Sequence, residues 1–127
     1  MRTLTTQTIS AVSNAVATGI KADKAGIKAL DALIADGFDQ PTDFISPKSD
    51  GSTVTAEEFE ALNDAIVLGF DVNIRKLLVK PVESLSEEQK TTRRYWQQQK
   101  GAKRNDFKKQ LQKRIERDNP EGAGPRN

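Results

Sequence analysis

Residues 93–104 read RRYWQQQKGAKR and hold the one tyrosine and the one tryptophan of a 127-residue chain, set among five cations. The fold turns on whether this stretch is a single helix and on which side of that helix the two rings lie. Working backwards, Ser84 and Ser86 are both N-cap residues in kind. Ser86 has Gln89 at the capping-box position, and acids follow in the first turn, where the helix dipole favours them. Working forwards, Gly101 is the one residue before Asp118 that opposes helix. A continuous helix of about thirty residues, roughly 45–50 Å long, is expected.

On a helical wheel at 100° per residue, Lys90, Arg93, Arg94, Lys100, Arg104 and Lys108 share a sector of about 120°. Leu85, Trp96 and Phe107 are spaced eleven apart and stay within about 40° of one another. Trp96 is therefore expected to anchor the apolar side, with Tyr95 the more exposed ring. Phe107, Leu111 and Ile115 form an i, i+4, i+8 ridge of the kind that docks into a partner's groove or pairs with its own copy.

Towards the N-terminus, Ile9, Val12, Val16 and Ile20 repeat at helical spacing, as do Ile27, Leu30, Ile34 and Phe38. Gly19 and Gly26 weaken the junction between them, so a helical hairpin is expected, with Gly37 capping its second arm. Residues 39–54, DQPTDFISPKSDGSTV, read as a loop pinned by Phe44 and Ile45. Thr55 and Glu58 then make a capping box at the head of a third helix, with Phe59, Leu62, Ile66 and Phe70 on one face. Gly69 is placed to bend that helix and Pro81 to stop it. The expected fold is all-α: a three-helix core over residues 1–80, a long basic helix over 81–119, and a Pro/Gly-rich flexible tail over 120–127.

Charge divides the chain more sharply than hydrophobicity does. Residues 1–89 carry eight Lys/Arg against fourteen Asp/Glu, a net of −6; residues 90–127 carry twelve against four, a net of +8. A sign change of this kind marks either a basic arm for a polyanion or two surfaces that pair with each other. Cysteine and histidine are both absent. That excludes thiolate chemistry, cysteine and histidine metal ligands, and every nucleophile–histidine arrangement, and the acids form no metal-binding motif. An enzyme is not expected, nor is a cofactor. MRTLTTQTIS has no apolar run of signal-peptide type, and no 18-residue apolar stretch follows, so no membrane association and a cytoplasmic location are expected.

These features point to a small nucleic-acid-binding protein, for DNA or RNA, whose basic helix contacts phosphates. The expected contact residues are Lys90, Arg93, Arg94, Lys100, Lys103, Arg104 and Lys108, with Tyr95 stacking on an unpaired base. The alternative is a structural or assembly protein, a homo-oligomer or a virion component, joined through Phe107, Leu111 and Ile115. In outline alone, a helical core with a basic arm resembles small viral assembly proteins and DNA-packaging adaptors, and no residue motif ties the chain to one of them.

Overall fold

The computed structural model describes residues 2–20 and 23–118, and over these the chain is all-α, with five α-helices and no strand. α1 (Thr6–Thr18) and α2 (Lys24–Ala35) form a hairpin. A 3-10 turn at Pro41–Phe44 leads to α3 (Ala56–Val67), α4 (Val72–Val79) and the long α5 (Glu87–Asp118). The expected flexible tail, 120–127, lies outside the described residues.

Local chemistry sets the helix ends. Asp23 accepts from the Gly26 N–H at 2.9 Å and so caps α2, which places Gly26 inside the helix rather than at a break. Gly37, at φ +101°, closes the same helix: its N–H donates to Ile34 O at 3.0 Å and that of Phe38 to Leu33 O at 2.9 Å, a Schellman pair. The Thr55–Glu58 capping box forms in both directions, at 3.1 and 2.9 Å.

Three core helices were expected ahead of the basic one, and there are four. The segment read as one bent helix after Thr55 divides at Gly69. A Cβ there would stand 2.5 Å from Ser13 O and 2.6 Å from Val16 Cβ, so α3 ends backbone-to-backbone against α1 in a space that admits only glycine. Asp71 then restarts the helix by accepting from the Asn73 N–H at 2.9 Å.

The inward face of α2 also differs from the expected one. Ala29, Leu30 and Leu33 are buried, while Ile27 is 45% exposed. Ala15, Ala29 and Ala65 are each at most 1% exposed. Alanine on each of these helices permits close approach, so the packed face of α2 centres on its alanine and the bulkier isoleucine turns outward.

Packing continues across the point where the charge changes sign. Phe107 and Leu111, at 0% and 1% exposure, belong to the same apolar cluster as Val12, Leu33, Phe38 and Leu62, with Trp96 and Ile115 against its margin. α5 lies along α4, α3, the 3-10 turn and α2 in one body. The ridge Phe107–Leu111–Ile115, expected to meet a protein partner, is thus occupied from within: four short helices make a thin core, and α5 completes it.

Candidate nucleic-acid interface

α5 begins where Ser86 and Gln89 close a reciprocal box, Ser86 N–H to Gln89 Oε1 at 2.9 Å and Gln89 N–H to Ser86 Oγ at 3.2 Å. It runs unbroken through Gly101 for 32 residues, about 48 Å at 1.5 Å per residue. Only Phe107 and Leu111 of those residues are buried. A helix this polar is positioned by a few anchors, and its remaining surface is free to carry charge.

Trp96 packs on Phe70, with ring centroids 5.1 Å apart, and meets Tyr95 edge-on at 5.3 Å. Tyr95 is 52% exposed, so the rings divide as expected: tryptophan towards the body, tyrosine towards solvent.

On the ideal wheel, Trp96, Phe107, Leu111 and Ile115 define an inward arc of about 100°, and Arg93, Lys100 and Arg104 fall inside the same arc. Half of the expected cationic stripe therefore faces the protein. Arg104 donates to Asn63 Oδ1 at 2.7 Å and lies over the Phe59 ring at 4.5 Å, and burial pushes its pKa down from the ordinary arginine range. Arg93 donates to Leu78 O at 3.2 Å, at the C-terminal end of α4, where the helix dipole favours a cation. Lys100 lines a shallow depression with Lys48, Glu60 and Asp64. The physical reason is that long cationic side chains lay their apolar stems on the core while keeping their heads at polar groups. Arg104, expected to contact phosphate, thus already has partners inside the chain, and Arg93 and Lys100 start from the same inward arc.

Of the other expected contacts, Lys90 pairs with Glu87 at 3.1 Å, whereas Arg94, Lys103 and Lys108 have no ion pair or hydrogen bond among the described residues. Two cations outside the expected set join them: Lys109 and Lys113 are exposed and also unpaired among the described residues. Arg94, Lys108, Lys109 and Lys113 fall within an outward arc of about 140° and span about 28 Å along the axis. Tyr95, Gln98, Ala102 and Asn105 lie exposed between them. Arg114, beside Lys113 in the chain, is held by Asp31 of α2 instead.

Two side-chain atoms, Nε of Arg75 and Nε of Arg93, are buried without a hydrogen-bond partner. Leaving such a donor unmet costs about 1–3 kcal/mol.

Elsewhere a second charged constellation forms, which the sequence did not reveal. Arg2 meets Asp43 at 2.8 Å and Glu58 at 3.0 Å, donates to Gly37 O at 2.9 Å and Thr53 O at 2.7 Å, and lies over the Phe38 ring at 4.7 Å. The Arg2 hydrogen bond, with the Thr55 N–H behind it, lowers the Glu58 pKa to about 2, and the same bond raises that of Arg2. Every member has a partner inside the chain, so the cluster ties the N-terminus to the loop and α3.

Among the described residues, no group of three acids could hold a metal, and no helix is long and apolar enough to cross a membrane. Compared with protein-family models, with curated proteins and with solved structures, the chain matches none.

Proposed function

We propose that the chain binds nucleic acid across the outward face of α5. The observation that carries this reading is the set Arg94, Lys108, Lys109 and Lys113: four cations without an internal partner among the described residues, displayed over about 28 Å of a helix that the core holds fixed. Cations presented this way neutralise successive phosphates and release counterions. Gln98 and Asn105 supply hydrogen-bonding groups between them, and Tyr95 offers a ring for stacking. Two acids lie beside these cations, Asp106 at the edge of the arc and Glu116 one turn beyond Lys113, and neither forms an ion pair with them among the described residues.

The test is a gel shift of the full chain on DNA and on RNA between about 50 and 200 mM salt, where phosphate-driven binding weakens steeply. No shift on either at the lower salt rejects the proposal. Assembly through Phe107, Leu111 and Ile115 is the less supported reading, because Phe107 and Leu111 are buried in the core and Ile115 packs at its margin.

A further inference from the structure

Where the loop after α4 meets the first turns of α5, a small pocket of ≈ 180 Å³ is lined by Val82, Leu85, Lys90, Arg93, Arg94 and Gln97. Three of its six lining residues are cations and none is an acid. Among the described residues one carboxylate pairs with the set: Glu87 reaches Lys90 from a side chain that is 92% exposed, so that pair is open to water and contributes little. Arg94 has no partner among the described residues, and Arg93 uses one Nη on Leu78 O while its buried Nε meets no acceptor. At the other end of α5 a comparable pocket is lined by Lys113, Arg114 and Arg117, but there Asp31 holds Arg114 and Asp118 holds Arg117. Arg94 of the first pocket thus has no acceptor among the described residues, whereas Arg114 of the second is held by Asp31.

We infer that the pocket of Lys90, Arg93, Arg94 and Gln97 is a binding site for a single phosphate group. Guanidinium groups match phosphate oxygens in geometry as well as in charge, the Gln97 amide adds a neutral donor, and Val82 and Leu85 give the pocket an apolar wall. Arg93 spends one Nη on Leu78 O, and its second Nη, which has no hydrogen bond among the described residues, is the donor left for a phosphate oxygen. This deepens the nucleic-acid reading and rests on it for the biological source of the phosphate, while the chemistry of the pocket stands apart from it.

The full chain, labelled with ¹⁵N, is titrated with inorganic phosphate at constant ionic strength while the arginine Nε–H cross-peaks are followed, an Arg93→Lys chain identifying the Arg93 peak. The Arg93 and Arg94 peaks should move saturably, with those of Arg114 and Arg117 still. In the doubly substituted chain, Lys90→Gln with Arg94→Gln, the Arg93 shift should require about tenfold more phosphate or vanish. An Arg93 peak that never moves, or that moves equally in the substituted chain, overturns the site.

Single-stranded oligonucleotides with and without a 5′-phosphate then distinguish the sources. Tighter binding of the phosphorylated strand, lost in the substituted chain, identifies a strand end; equal binding of both, equally weakened, identifies the backbone. If phosphate moves Arg93 but no oligonucleotide binds, the pocket stands and the nucleic-acid reading falls. If the substituted chain binds oligonucleotide undiminished and phosphate leaves Arg93 unmoved, the pocket falls and the reading stands.

Discussion

Arg2 and Arg94 carry the same guanidinium and sit in opposite circumstances. Arg2 is surrounded by two carboxylates, two carbonyl oxygens and a ring, while Arg94 is exposed and has no partner among the described residues. A cation whose acceptors come from its own chain holds the fold together. One whose acceptors are missing is available to something else. Counting charge along the sequence does not separate the two kinds, and α5 contains both, with Arg104 resembling Arg2 and Arg94 resembling Lys109.

The largest effect should come from the anchor that makes α5 part of the body. Phe107→Ala removes a fully buried ring and should cost about 3–5 kcal/mol. Chemical denaturation followed both by helix content and by Trp96 emission should show a single transition, shifted to lower denaturant. Two separated transitions would mean that α5 unfolds independently, and the contrast between inward and outward cations would lose its basis.

Next in size is the Arg2 cluster. Glu58→Gln keeps the shape and removes the charge, and should cost about 2 kcal/mol, between the worth of an exposed pair and that of a buried one, because the Arg2 side chain stays 25% exposed. The Glu58 carboxyl titrates at about 2 in the folded chain against an ordinary 4.5. Its contribution is therefore complete above about pH 5 and is lost as the pH falls from 4.5 towards 2. Thermal melts across that window should fall more steeply for the native chain than for Glu58→Gln. Parallel curves would show that Arg2 does not act through this carboxylate.

Which parts of this arrangement were legible beforehand follows from the range of the interactions involved. Caps at Thr55, Ser86 and Gly37 act over three to five residues and could be read directly, as could the division between Trp96 and Tyr95, which lie on one helix. The break at Gly69 was read only as a bend, because what fixes it is the Ser13 carbonyl, 56 residues away. The Arg2 cluster joins partners 41 and 56 positions off, beyond any local pattern. On α5, the wheel located the densest sector of charge, but which sector faces outward depends on where Phe107 and Leu111 point. Lys109 and Lys113 lie outside the densest sector. The apolar anchors held the better signal, since the exposed face is the one opposite them.

A smaller effect, and a stabilising one, is expected at Gly101. A Cβ there would meet only an Arg104 Nη at 3.6 Å, an ordinary approach, and the residue lies mid-helix. Gly101→Ala should raise stability by about 0.5–1 kcal/mol by reducing the freedom of the unfolded chain. A loss of stability would mean that α5 bends at this point, breaking the fixed spacing between Arg94 and Lys113.

The smallest effect on folding should come from the cations on which the proposed function depends. Changing Arg94, Lys109 and Lys113 together to Gln removes three exposed charges with no internal partner among the described residues, so stability should stay within about 0.5 kcal/mol. Nucleic-acid binding should weaken for every sequence alike, and the slope of log affinity against log salt should fall by about 3, close to one for each phosphate no longer neutralised. Arg104→Gln provides the opposite control: it breaks the bond to Asn63 and removes the cation from the Phe59 ring, and should cost about 1–2 kcal/mol of stability while leaving the salt slope unchanged. If instead the triple substitution lowers the melting temperature and Arg104→Gln flattens the slope, the assignment of inward and outward cations is reversed. The phosphate-contacting surface would then lie on the flank of α5 facing α3.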